Sequence, residues 1–464
     1  MKSTIVFFIL FIHLFASNTP FDLYKKETNP KQHTLLIIGG IHGDEPGGYF
    51  APTILEKYYK IKSGNLWIIP NINVDSIMAN NRGIYGDMNR KFNITDKKDE
   101  DYITVNKIKE LILEKNVHLI LNLHDGYGFY RNKYENAIFN PNSWGQATII
   151  DQEKIDDKFG NLDEIANKVN TSLNNEGLFK DFHSFGVKNT QTKFKDEQMQ
   201  LSLTYFAVTN NKPAFAIETS KNITDLTYKV IYQLKSIEEF MKIMDIKFER
   251  DFDINNYKEI ESRIFDFGKV KINDNITLEL SDIKNNIRFV PLKKEDNKFD
   301  FTHTLARVKY NDNMYEIYIG NIKISDLYPQ VFDVETTKNK VKVIVDNKEI
   351  ETSFSSQIDI KNDFKIAKSD FRVNIIGFSK DGLDSEDNIL IKKSDIQENY
   401  SIDNNKTKYR AEFYKDGKFY GMIVLNFLKE YKKNNPKVNR PIYKENISPD
   451  WKGDPNDPNR WNGW

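Results

Sequence analysis

Four short apolar runs, each ending in a glycine-containing or polar turn, divide the first half of this sequence. They read "TLLIIGG" (34–40), "NLWIIPNIN" (65–73), "HLILNLHDG" (118–126) and "PAFAIETS" (213–220). Continuous apolar stretches of this length suit strands buried on both faces, the condition of a parallel sheet covered by helices. Helical stretches separate them. "DYITVNKIKELILEKN" is expected to put Ile103, Ile108, Leu111 and Ile112 on one side, and "TDLTYKVIYQLKSIEEFMKIMDI" closes this half with a second apolar stripe. Strand–helix alternation from Thr34 to Ile246 predicts an α/β domain with a mostly parallel, mixed sheet flanked by helices.

After Phe248 the pattern changes to short alternating segments such as "KVKINDNITLELSD", "MYEIYIGNIKI", "KVKVIVDN" and "RVNIIGF". Asp416-Gly417, inside "AEFYKDGKFYGMIVLNF", is a strong hairpin signal. These strands are too many for one small sheet. The expected organisation is therefore an α/β catalytic domain over 20–247, a β domain over 248–336, and an immunoglobulin-like β-sandwich over 337–430. A tail over 431–464, rich in Asn, Pro and Asp, is expected to be extended.

The first residues, "MKSTIVFFILFIHLFASNTP", carry a lysine, an apolar run and then small residues. This reads as a secretory signal over 1–17, hence export to the periplasm. No later run is apolar and long enough to span a bilayer, so no membrane span is expected after signal removal. Lys+Arg and Asp+Glu both number 67 in the 464 residues, which argues against a nucleic-acid partner. There is no cysteine. A metal site must therefore draw on His, Asp or Glu.

Seven histidines make each one worth weighing. His42 and Glu45 follow the first strand in "GGIHGDEPGG". Gly39, Gly40 and Gly43 permit a sharp bend, and Pro46 suits a first helical turn. Both side chains can then face the crevice above the strand ends, where open α/β sheets bind ligands. His118 and His124 share one strand but lie roughly 20 Å apart, so they cannot share a metal. His124, at the carboxyl end, is the best third ligand. Two imidazoles and one carboxylate, with water in the fourth position, form a catalytic zinc set. Glu218 closes another apolar strand and could serve as general base. In "ANNRGIYGDMNRKF", Arg82, Asn89 and Arg90 suit anion recognition: one guanidinium for an oxyanion, another with Asn89 for a carboxylate.

In that order, "HGDE", "NRG…GDMNR", "NLHDG" and "AIETS" resemble the zinc carboxypeptidase superfamily of funnelin type over roughly Thr34–Ser220. The resemblance implies one zinc ion per chain on His42, Glu45 and His124. It further implies Arg82 polarising the scissile carbonyl, Asn89 and Arg90 gripping the terminal carboxylate, and Glu218 as base. With export, "FNPNSWGQ", "SLTYFAVTNNKPAFAIETSK" and two trailing β domains, the chain is similar to the murein DL-carboxypeptidases that set helical cell shape. These trim peptidoglycan tripeptide stems to dipeptides by removing meso-diaminopimelate. By that analogy Trp144 and Thr204 line the substrate pocket, and Tyr205 offers a phenol near the leaving group. Some members carry glutamine at the first ligand position, where this chain has His42. The β domains could orient the enzyme on muropeptides or engage cell-shape proteins. Two competing expectations are an N-acyl amino acid amidohydrolase of the desuccinylase/aspartoacylase type, which shares "GGIHGDE" and "GDMNR", and a non-catalytic wall-binding protein.

Overall fold

The computed structural model describes residues 20–93, 96–175, 180–336 and 340–428. The signal pattern and the tail lie outside the described residues.

The α/β half is built on seven strands: β1 (Tyr24–Glu27), β2 (Thr34–Ile38), β3 (Asn65–Ile69), β4 (Val117–Gly126), β5 (Ala147–Ile150), β6 (Gly186–Asn189) and β7 (Ala214–Ser220). Their order across the sheet is β1-β3-β2-β4-β7-β5-β6. The central strands β3, β2, β4 and β7 run parallel. Strand β1 closes one edge antiparallel to β3, and β5 turns the sheet antiparallel at β7. Every residue of β2, β3 and β7 is buried, as the unbroken apolar runs require.

Helices cover both faces. α1 (Pro46–Tyr58), α3 (Leu162–Asn175) and α5 (Leu226–Ile243) pack on one another and on the sheet, while α2 (Tyr102–Ile112) and α4 (Leu203–Thr209) also contact β4. α2 corrects one expectation. Val105, Ile108 and Ile112 form its buried stripe, whereas Ile103 is 63% exposed. Positions 105, 108 and 112 are spaced three and four apart; Ile103 falls off that stripe.

The segment after residue 247 stays with this layer. Lys247–Arg250 pairs antiparallel with Tyr59–Ser63, and the helix Tyr257–Ile264 packs on α5 and α1. Two all-β units follow. One combines a three-stranded and a four-stranded sheet between Lys269 and Val331. Its core is continuous with that of the α/β half. The other stacks two four-stranded sheets between Lys340 and Phe427 around a core of its own, centred on Val343, Phe364, Phe413 and Ile423. Tyr414, Phe419 and Met422 rest instead on the larger core. Among the described residues no helix is long and apolar enough to cross a membrane.

Candidate metal centre and active site

The turn after β2 depends on glycine. Gly40 has φ +74°, and a Cβ at Gly43 would lie 1.9 Å from the Ser76 carbonyl oxygen. Only glycine lets the chain press against Ser76 and still deliver His42 to the strand ends. Glu45 occupies the N-cap position of α1, with Pro46 opening the helix, yet its carboxylate makes no capping bond. It turns instead toward two imidazoles. His42 Nδ1 lies 3.0 Å from Oε1, and His124 Nδ1 lies 2.8 Å from Oε2. One ligand atom from each residue fits within 4.8 Å of the others, and all three residues are buried.

Register brings the fourth group in. On neighbouring parallel strands, Glu218 of β7 pairs directly with His124 of β4. Glu218 is buried beside this cluster, where it feels the charges of Glu45 and Arg82. Arg82 donates from Nη1 to Glu45 Oε1 at 3.2 Å and from Nε to Asp87 Oδ2 at 3.0 Å. Asn89 and Arg90 sit on the short helical turn Met88–Arg90, N-capped by Asp87. Asn89 Oδ1 accepts from the Leu203 amide at 3.0 Å, tying this turn to the start of α4. Thr204 and Tyr205 stand on the first turn of α4; Thr204 is buried, and Tyr205 packs partly against the main core. Trp144 packs over the small cluster Ala147, Ile149 and Ala216, next to Glu218.

Three participants were not singled out from the sequence. Asp87 accepts from His42 Nε2 at 2.8 Å and from Arg82, so it holds the His42 ring and an adjoining cation together. Lys221 bonds Asp44 and lies 3.6 Å from Glu45 Oε1. Asp125 accepts from the Gly47 amide at 3.0 Å and from Lys229 at 3.1 Å, fastening the start of α1 to the end of β4. The sequence offered a signal for Asp87, which lies inside "GDMNR", but none for the pairing of Lys221 with Asp44.

The electrostatics follow from burial and opposed charges. Burial works against ionisation of Glu45, but His42, Lys221 and His124 outweigh it and hold its pKa well below the usual carboxylate range. For His42 burial favours the neutral ring, yet Glu45 and the bond to Asp87 raise its pKa. At His124 burial prevails and lowers it. Glu218 is pushed well above the ordinary value, first by burial and then by the charge of Glu45. An acidic group with a raised pKa beside a depressed one is a pattern of acid–base sites.

The donor set fits a divalent metal. Two imidazole nitrogens and a carboxylate converge, and His42 Nδ1 is buried without a well-formed hydrogen bond. Asp87 stands where an outer carboxylate would orient the His42 imidazole toward such a metal.

Residues 4–261 match the family described as carboxypeptidase controlling helical cell shape, catalytic domain. The chain belongs to that family. Residues 334–428 match the C-terminal domain of metallo-carboxypeptidase. Among solved structures, the apo form of cell shape determinant protein Csd4 from Helicobacter pylori is 33% identical and superposes with a TM-score of 0.82, covering 88% of this chain and 100% of that one. The tripeptide-bound form of that protein gives the same figures. Its mDAP-bound form, described as a D,L-carboxypeptidase, is 34% identical with a TM-score of 0.82, over 87% of this chain and 100% of that one. No curated relative matches the sequence. This cell-shape carboxypeptidase is thus a metal-dependent hydrolase of peptide bonds, built as an α/β catalytic layer followed by all-β units.

Proposed function

We propose that the enzyme is a zinc-dependent D,L-carboxypeptidase that trims peptidoglycan tripeptide stems to dipeptides, releasing the C-terminal meso-diaminopimelate. The observation that carries this reading is the convergence of an imidazole nitrogen from each of His42 and His124 with the Glu45 carboxylate, beside Glu218. Similarity to Csd4 over most of the chain supplies the substrate.

Bound there, zinc would polarise the scissile carbonyl and acidify a water molecule. The protein's own groups do the rest. Asn89 and Arg90 hold the terminal carboxylate and so fix which bond is cut. Arg82, beside Glu45, faces the oxygen on which negative charge develops. Glu218 takes a proton from the attacking water and passes it to the leaving amine. Trp144, Thr204 and Tyr205 border the substrate. Export to the periplasm through the 1–17 signal brings the enzyme to its polymer, and the β units offer surfaces for other cell-shape proteins.

The test is mass spectrometry of purified muropeptides before and after incubation, with and without a chelator. Loss of tripeptides, gain of dipeptides and release of diaminopimelate are expected only without chelator. Metal analysis should return one zinc per chain. Unchanged tripeptides from a zinc-loaded protein would sink the reading.

A further inference from the structure

Lys188 stands on β6, paired with Ile149 of β5. Along β5, Ala147 and Ile149 share a face, and on β7 their partners on that face are Glu218 and Ala216. The floor beside Glu218 is therefore apolar, made of Ala147, Ile149 and Ala216, with Tyr130 and Trp144 packed against it. A Cβ at Gly126 would meet Trp144 Cβ at 2.6 Å and Glu218 Oε2 at 2.9 Å, so this floor adjoins the base.

Lys188 reaches over the same floor. Its Nζ lies 4.4 Å from the Trp144 ring centre and 5.3 Å from that of Tyr130. It donates to the carbonyl oxygens of Pro141 at 2.8 Å and Ser143 at 2.9 Å. An ammonium has three donors, so one is left over. Among the described residues no carboxylate comes within 4.0 Å of it. The lysines close to the strand ends that carry His42 and His124 are paired: Lys91 with Asp99 and Asp101, Lys221 with Asp44, Lys229 with Asp125; Lys26 and Lys212, farther off, bond backbone carbonyls as Lys188 does. Burial lowers the Lys188 pKa to about 8, while the charge of Glu218 pulls it upward. A desolvated cation without a counter-ion, next to the reacting groups, is a site for an anion.

We infer that Lys188 is a specificity-determining residue that binds a second free carboxylate of the substrate, distinct from the terminal carboxylate assigned to Asn89 and Arg90. The inference rests on the peptidoglycan-stem reading above. A tripeptide stem offers two such groups. One is the α-carboxylate of the γ-linked D-glutamate on the acyl side; the other is the distal carboxylate of diaminopimelate on the leaving side.

The experiment compares wild type, Lys188→Gln and Lys188→Arg on three peptides. These are the parent tripeptide, its D-isoglutamine analogue, and an analogue ending in lysine, which lacks the distal carboxylate. In the wild type, the analogue lacking the bound group should show a KM about 10- to 100-fold above the parent, the other analogue much less. Lys188→Gln keeps a donor for the two carbonyls but loses the charge. It should raise KM by a similar factor for the parent, leave KM for the sensitive analogue nearly unchanged, and spare kcat. Lys188→Arg should restore most of the discrimination. An equal penalty on all three peptides, or equal wild-type KM for all three, overturns the role of Lys188 while leaving the carboxypeptidase reading intact. Wild-type protein that releases no C-terminal residue from the parent overturns that reading, and this inference with it.

Discussion

Asp87 Oδ1 lies 2.8 Å from Nε2 of His42, the ring nitrogen directed away from Glu45. The same carboxylate accepts from Arg82 and from the Asn89 amide. It therefore fixes the tautomer of one proposed ligand, the position of a cation and the start of the turn carrying Arg90. Asp87→Asn should weaken zinc affinity about 10- to 100-fold. Competition with a chromophoric chelator would measure it, and a folded variant with native affinity would rule out the orienting role.

Glu218 sits next to His124 across the strands without being a member of the His–Glu–His group. Glu218→Gln should keep stoichiometric zinc and lower kcat roughly 10²- to 10⁴-fold. Metal analysis beside a muropeptide assay separates the two effects. Loss of the metal together with activity would make Glu218 structural.

Arg90 is half-buried on the Met88–Arg90 turn, with Nη1 donating to the Asn89 carbonyl at 3.1 Å. If it grips the substrate's terminus, a C-terminal amide should bind the wild type at least about 10-fold more weakly than the free acid. Arg90→Met should abolish that preference. Steady-state KM on both peptides decides it.

Two buried histidines predict acid sensitivity of the fold. His183 Nδ1 lies 2.6 Å from the Tyr232 hydroxyl, and His303 Nδ1 accepts from the Leu305 amide at 3.1 Å. Burial lowers both pKa values to about 4. In the unfolded chain each takes its proton near 6.5, while the folded protein resists until about 4, so the unfolded state binds more protons in between. The stability contributed by these two histidines should hold above pH 6.5 and fall progressively from there toward pH 4. Thermal melts across that range would show it, and His303→Gln should flatten the slope. Identical pH dependence of Tm in wild type and His303→Gln across this window would contradict the buried neutral state.

Much of the arrangement was legible because strand ends in an α/β sheet share one edge. Apolar runs ending in His42, His124 and Glu218 announced residues meeting there, and the register of β4 and β7 makes His124 and Glu218 neighbours. What stayed hidden depends on contacts between distant side chains. Lys221 follows β7 without any local pattern that names Asp44 as its partner. Ile103 looked like part of a helical stripe because hydrophobicity alone does not fix the angle at which α2 meets the sheet. The change of pattern after Phe248 was plain, but not that Lys247–Arg250 would pair back with Tyr59–Ser63, since short alternating strands do not advertise their partners.

The apolar interior that runs unbroken from the sheet into the strands between Lys269 and Val331 has a bearing on engineering. A cut within that stretch exposes the inside of the catalytic layer. The last sandwich, with its separate interior, is closer to an interchangeable cassette. A graft in its place must present an oily patch where Tyr414, Phe419 and Met422 now sit, and must replace the polar ties of the same seam, among them Lys408 with Glu279 and Asp282 and Arg410 with the carbonyl oxygens of Arg288 and Phe289.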